Sequence, residues 1–284
     1  MLELSEITAW REYAAGQRSL GRRVGLVATM GALHEGHASL FRAAKAENDV
    51  VIATSFVNPR QFNDAEDFER YPKTPELDRA LAEQYGVDCF VVPTLLAMWP
   101  NYPSPTPTTV SVGELIARFE GAGRPGHFDG VASVVAKLFV ITGRCRAYFG
   151  EKDFQQLAVI RQMTKDLAFD VEVVGCPIVR DVDGLAFSSR NVRLSVEGRR
   201  QALGLSLALR AANEVLTSAS DARATMRAVM ATSGIEVAYA EVVDTTTLVP
   251  ASDLESGLRR ALVAGVVEGV RLLDNAPIEV KGEG

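Results

Sequence analysis

Two apolar runs, Val24-Gly-Leu-Val-Ala28 and Val50-Val-Ile-Ala-Thr-Ser-Phe-Val57, flank a glycine-bearing turn, Thr29 to His37, and a helix-forming stretch, Ala38 to Glu47. Neither run alternates apolar with polar residues, so each reads as a strand buried on both faces. Strand, turn, helix and strand make the unit of a parallel sheet, because parallel neighbours need a crossover long enough to hold a helix. The pattern continues. Thr74 is placed to cap a helix that starts at Pro75 and stops at Gly86, and Val87 to Val92 is a third strand. Arg146 to Phe149 and Val171 to Val174 read as two more strands around a helix from Phe154 to Leu167. Leu4, Ile7, Trp10 and Tyr13 recur at helical spacing and predict an opening amphipathic helix. Pro93 to Pro107 and Gly121 to Gly130 read as loops, the second leading into a helix with Val131, Val134, Val135 and Leu138 on one face.

The pattern changes near residue 180. Ser195 to Thr217 reads as one long helix and Ala222 to Met230 as a second, followed by strand-like runs at Ile235 to Val243 and Leu258 to Val267. The expectation is therefore an α/β chain: a Rossmann-like doubly wound parallel sheet over residues 1–180, then a smaller C-terminal α+β domain over 181–284 that acts as a lid. Hydrophobic residues make up 47% and charged residues 23%, which excludes a disordered chain. The formal charge of −6 argues against an extended basic surface for nucleic acid and leaves room for a local phosphate site. Cys89, Cys145 and Cys176 form no CxxC pair, so neither a disulfide framework nor a thiolate zinc site is expected, and a reducing cytoplasm fits. The N-terminus carries acids early and has no basic, apolar signal pattern. The longest uncharged stretch, Cys89 to Gly113, contains Pro93, Pro100, Pro103, Pro105 and Pro107, so no membrane span is expected.

The turn from Thr29 to His37 lies where open α/β sheets bind ligands, beyond the carboxyl end of a strand. A helix N-terminus there favours phosphate, and Gly31 and Gly36 permit close backbone approach. His34 and His37 share one face of the first turn, placed to donate to a polyphosphate and to become positively charged beside it. A metal pair and incidental loop histidines are the alternatives; the spacing is not HExxH and no third ligand is near. There is no GxGxxG and no GxxxxGK[ST], so the phosphate loops of a dinucleotide-binding dehydrogenase and of a P-loop NTPase are both missing. What remains is an HxGH-type loop after the first strand.

That loop resembles the HIGH-type signature of the nucleotidyltransferase-like Rossmann superfamily. The ordered set TMGALHEGH, FVNPRQF (Phe56–Phe62), YPKTP (Tyr71–Pro75), RPGHFDGV (Arg124–Val131), FGEKDFQQ (Phe149–Gln156) and DGLAFSSRN (Asp183–Asn191) is similar to that of the pantothenate synthetase family, the pantoate–β-alanine ligases. RLLDN, Arg271 to Asn275, fits the family's C-terminal end. Ala28, Phe154 and Phe187 depart from the usual proline, tyrosine and methionine; none removes a chemically active group, and Phe187 alters the wall near the nucleotide.

The resemblance implies ATP as co-substrate with Mg²⁺, pantoate and β-alanine as substrates, a pantoyl-adenylate intermediate, and a homodimer. By resemblance the catalytic residues are His37, the family's general acid, with His34 and Lys152. Nucleotide contacts are implied at Met30, Gly31, His34, His37, Gly150, Lys152, Asp153, Val179, Phe187, Ser188, Ser189 and Arg190. Substrate contacts are implied at Asn58, Gln61, Gln156, Arg124 and His127, the last two for β-alanine's carboxylate. The chemistry suits the roles. Lysine is a point charge for an α-phosphate, a Ser-Ser-Arg run offers hydroxyls and a fork of donors, and glutamines offer donor and acceptor to a hydroxy acid. Each also has a structural alternative: solvated Lys152 and Arg124, Asp153 as a helix cap, satisfied buried glutamines, and a plain turn at Ser188–Arg190. Asp78 is one candidate Mg²⁺ ligand, though the residues alone leave the metal site undetermined. Two competing functions are a transferase to a phosphorylated acceptor, which needs a second basic site where this chain has amides, and a non-enzymatic nucleotide or RNA binder, which the acidic charge disfavours.

Overall fold

The computed structural model describes residues 1–215 and 218–282. The chain divides into two compact units, Met1–Glu151 with Gln155–Pro177, and Lys152–Phe154 with Ile178–Gly284.

The first unit is built on a six-stranded sheet in which every pairing is parallel. Its strands are β1 (Leu2–Leu4), β2 (Val24–Thr29), β3 (Val50–Ser55), β4 (Cys89–Val91), β5 (Cys145–Gly150) and β6 (Val171–Cys176), in the order β1-β4-β3-β2-β5-β6. From β2 the chain moves one way through β3 and β4, then restarts on the other side with β5 and β6. The reversal lies between β2 and β5, the position at which doubly wound sheets bind ligands beyond their strand ends. The helices are α1 (Ile7–Ser19), α2 (Glu35–Glu47), α3 (Ala65–Glu69), α4 (Pro75–Gln84), α5 (Leu95–Met98), α6 (Glu120–Gly123), α7 (His127–Thr142) and α8 (Phe154–Asp166). Successive side chains of a strand point to opposite faces. Leu26 and Ile52 therefore enter one core with Trp10 of α1, Phe139 of α7 and Leu157 and Ile160 of α8. Val27, Val51 and Ala53 enter a second core with Phe41 and Ala44 of α2 and Ala82 of α4. Both faces are covered, which is why the strands carry no polar alternation.

In the second unit α9 (Val196–Val215) and α10 (Ala219–Thr232) accompany an antiparallel three-stranded sheet of β7 (Glu236–Val243), β8 (Gly257–Val267) and β9 (Val270–Val280). Its core joins Leu205, Leu209, Met226 and Met230 of the helices to Val242, Val263 and Leu272 of the sheet. Thr217, the expected end of the long helix, lies outside the described residues.

Several local expectations are corrected. Leu4 belongs to β1, so the opening helix starts at Ile7. Thr74 precedes α4 but makes no capping bond; its hydroxyl donates to Asp78 at 2.9 Å. Pro93 to Pro107 is interrupted by α5, which Thr94 caps by accepting from the Ala97 N–H. Gly121 to Gly130 is not one loop, because α6 and the start of α7 occupy most of it. Gly126 supplies the left-handed residue before α7 (φ +79°), whereas Gly130 sits inside that helix for a contact reason: a Cβ there would strike the carbonyl of Arg60. β9 was not anticipated. It pairs with β8 across a two-residue turn at Glu268 (φ +51°) and Gly269 (φ +75°), the all-positive geometry usually signalled by Asn-Gly or Asp-Gly.

Candidate active site

The loop after β2 is held from within. Thr29 donates its hydroxyl to the Thr54 carbonyl at 2.6 Å and accepts from the Gly31 N–H. Gly31 (φ +80°) and Ala32 (φ +48°) then turn the chain through left-handed backbone. A Cβ on Gly31 would fall 2.9 Å from Asp78 Oδ2, so glycine serves both conformation and close approach. Asp78, in the first half of α4, is 2% exposed. Its Oδ2 accepts from the Ala32 N–H at 3.0 Å, and its Oδ1 from the Leu33 N–H at 2.8 Å and the Thr74 hydroxyl. The Asp78 carboxylate, one candidate Mg²⁺ ligand, clamps the histidine loop. Among the described residues no group of three or more His, Cys, Asp or Glu is arranged to hold a metal ion. Mg²⁺ on a nucleotide keeps mostly phosphate and water ligands, so it would need few residues of the chain.

His34 is the N-cap of α2. Its Nδ1 accepts from the Gly36 N–H at 3.1 Å, while the His34 N–H donates to His37 Nδ1 at 3.2 Å. The rings lie 4.1 Å apart, tilted by 46°. With both Nδ1 atoms accepting, the neutral ring proton of each histidine sits on Nε2. The amides of Ala32, Leu33, His34 and Gly36 are bonded within the protein.

The turn after β3 carries the second cluster. Asn58 and Gln61 are both buried. Asn58 Oδ1 accepts from Trp99 Nε1 at 2.9 Å, and its Nδ2 donates to Gln61 Oε1 and to the Gly130 carbonyl, both at 3.1 Å. That fixes the orientation of the Gln61 amide, whose Nε2 faces Met30 Sδ. Gly130 has no Cβ, and α7 can therefore close onto this turn. Arg124 and His127 were expected at β-alanine's carboxylate. Here Arg124 donates to His127 Nε2 (3.1 Å) and to the Gln61 carbonyl (3.4 Å), so His127 carries its proton on Nδ1 and donates to the same carbonyl at 2.7 Å. Gln156 lies half-buried in the first turn of α8; among the described residues no hydrogen bond from its amide to the protein is formed, unlike a satisfied core glutamine. Its neighbour Gln155, which no motif reading singles out, is buried and holds the segment before Arg124. Gln155 accepts from the Glu120 N–H (3.0 Å) and donates to the carbonyls of Leu115 and Arg118 (both 2.8 Å). Gly150 ends β5 with open space where a Cβ would stand.

In the second unit, Lys152 and Asp153 form an ion pair of 3.5 Å in which Lys152 is the more covered partner. The Phe187 N–H donates to the Val179 carbonyl, and Ser188 caps the short helical turn Ser189–Arg193 by accepting from the Arg190 N–H at 3.2 Å. The Ser188 hydroxyl thus takes part in a local turn. Arg180 is fixed by Asp274, and the Lys152 carbonyl accepts from Asn275. Burial pushes the Cys89 and Cys145 thiols up to about 12 and that of Cys176 to about 11. None is a thiolate nucleophile at neutral pH.

The chain is similar to known proteins over nearly its whole length. A family model described as pantoate-beta-alanine ligase matches residues 3–277. The pantothenate synthetase of Acidobacterium capsulatum is 54% identical over 259 residues, covering 89% of this chain and 85% of that protein. That of Caldicellulosiruptor bescii is 46% identical, covering 99% of this chain and 100% of its own. The crystal structure of pantothenate synthetase from Thermus thermophilus superposes with a TM-score of 0.89 at 45% identity, over 97% of this chain and 99% of that one. The pantoate-beta-alanine ligase of Francisella tularensis, complexed with beta-gamma ATP and beta-alanine, has a TM-score of 0.79 at 31% identity, over 97% of each chain.

Proposed function

The chain belongs to the pantoate–β-alanine ligase family and is a ligase that condenses pantoate with β-alanine; we propose that it does so at the expense of ATP in two steps carried by the residues just described. In the first step pantoate's carboxylate oxygen attacks the α-phosphorus of ATP, and pyrophosphate leaves with the electrons of the broken P–O bond. In the second step β-alanine's amine attacks the acyl carbon of pantoyl adenylate. AMP departs, the amine loses its proton, and pantothenate is formed. No covalent enzyme intermediate is needed, which suits a chain whose three thiols are buried and protonated.

The observation that carries this reading is the reciprocal cap of His34 and His37. It fixes the two imidazoles at a helix N-terminus, where negative charge is favoured. Donors fixed before reaction stabilise the charge that develops as pyrophosphate departs more than they stabilise bound ATP. Lys152 meets the α-phosphate in this proposal, and Asp153 the ribose. Met30, Gly31, Gly150, Val179, Phe187, Ser188, Ser189 and Arg190 complete the nucleotide contacts. Gln61, oriented by Asn58, and Gln156 bind pantoate's hydroxyls and carboxylate; Arg124 and His127 support Gln61 and guide β-alanine. Mg²⁺ bound to ATP would neutralise part of its phosphate charge.

The proposal includes a homodimer, as the family resemblance implies. It also includes a cytoplasmic location, with which the unpaired thiols accord; no helix among the described residues is long and apolar enough to cross a membrane. The test is AMP release from ATP by the purified protein. It is expected only with pantoate and β-alanine both present, with one pantothenate formed per AMP. AMP release without β-alanine at full rate, or nucleotide transfer to a phosphorylated acceptor, would refute it.

A further inference from the structure

The stretch Arg271 to Asn275 lies in β9 and takes no part in the reaction as written above. Its last two residues are nevertheless deeply buried polar groups, Asp274 at 4% and Asn275 at 2% exposure. Asp274 holds Arg180 through two bonds of 2.5 and 2.9 Å. Asn275 does something different. Its Oδ1 accepts from Arg260 Nε at 2.6 Å, and its Nδ2 donates to the main-chain carbonyl of Lys152 at 2.7 Å, although the two residues are 123 apart in sequence. Arg260 in turn lays its guanidinium over the Phe154 ring, 4.3 Å from the centroid. The amide has one satisfactory orientation, because a guanidinium offers only donors and a carbonyl only an acceptor. Asn275 and Arg260 together grip Lys152 to Phe154, the short segment that packs with the second unit although Glu151 and Gln155 belong to the first.

We propose that Asn275 is a positioning residue for Lys152: it fixes the main chain from which the ammonium extends and so sets where that charge meets the α-phosphate. The inference rests on the reading of Lys152 as the α-phosphate group. A lysine side chain is a point charge on a flexible stem, so the placement of its root decides its aim. Misplacing a reacting or stabilising group by 1 Å costs on the order of 10²-fold in rate. The burial of Asn275 makes the tether durable, since an unmade bond at that depth is costly.

The test compares two rates on each preparation: pantoate-dependent exchange of pyrophosphate into ATP without β-alanine, and attack of β-alanine on preformed pantoyl adenylate. Asn275→Asp keeps the size and the acceptor for Arg260 but loses the donor to Lys152; Asn275→Ala loses both. Taking the ratio of the two rates cancels any unfolded fraction. Each variant is expected to lower maximal exchange by about 10- to 100-fold, leaving the KM for pantoate and the β-alanine step within about twofold. In a Lys152→Ala background the same changes should add less than about a further twofold, because the group being positioned is gone. Wild-type exchange in Asn275→Asp, equal losses in both steps, or full additivity with Lys152→Ala would each overturn the proposal. Normal exchange in Lys152→Ala alone is a different failure: it withdraws the role of Lys152, and the proposal with it.

Discussion

His34 and His37 each give one ring nitrogen to a backbone N–H, and that shared habit sets their chemistry. The two bonds leave the ring proton of each histidine to Nε2. Nitrogen-15 NMR of the histidine rings should show the Nε2–H tautomer for both near neutral pH; Nδ1–H signals would contradict the cap. His37→Ala should slow single-turnover adenylate formation by about 10²-fold, the scale of losing one preorganised donor. His34→Ala should in addition cost about 1 kcal/mol of stability as a lost helix cap, read by chemical denaturation. The cysteines make the complementary case. Burial raises all three thiols, to about 12, 12 and 11 for Cys89, Cys145 and Cys176, so at pH 8 the protonated form dominates in each. A raised thiol pKa means that thiolate appears only as pH climbs toward those values. A thiol reagent should label none of the three in native protein at pH 8 and all three in denaturant; rapid native labelling would show one of them open to solvent.

At the scale of elements, the histidine loop is shaped by a helix that follows it by some forty residues. α4 carries Asp78 to the amides of Ala32 and Leu33, and Thr74 steadies the same carboxylate. Asp78→Asn replaces one acceptor by a donor, so one buried loop amide loses its partner, at about 1–3 kcal/mol. The variant should unfold at lower denaturant and adenylate more slowly, and excess Mg²⁺ should restore neither. Restoration by Mg²⁺ would return Asp78 to the metal. The same element shows where sequence reading ends. Val24–Ala28 and Val50–Val57 were legible as buried parallel strands because a short, unbroken apolar run bounded by turn residues suits a strand covered on both faces. The HxGH loop was legible because its place after a strand and its residue types agree. The partner of Asp78 was not, since a carboxylate that clamps amides and one that binds metal are the same letter. Trp99, Gln155 and Asn275 were hidden for a similar reason: each acts through a bond to a residue remote in sequence, at Asn58, Glu120 and Lys152. Gly130 and the Glu268–Gly269 turn misled in the other direction, since a glycine inside a helix and a glutamate in a type I′ turn both break the usual local signals.

At the scale of the molecule, the chain holds two units with separate cores, one a six-stranded parallel sheet and the other a three-stranded antiparallel one. The histidine pair belongs to the first unit, and Lys152 and the Ser188–Arg190 turn to the second. The functional claim common to all of them is that ATP is cleaved at its α-phosphorus by a carboxylate. One isotope measurement reads that claim at the bond itself. With oxygen-18 in pantoate's carboxylate and both substrates supplied, one labelled oxygen should be carried into AMP, leaving pyrophosphate unlabelled. Label in pyrophosphate or inorganic phosphate, with none in AMP, would mean that attack falls elsewhere on the triphosphate and would contradict the adenylate route.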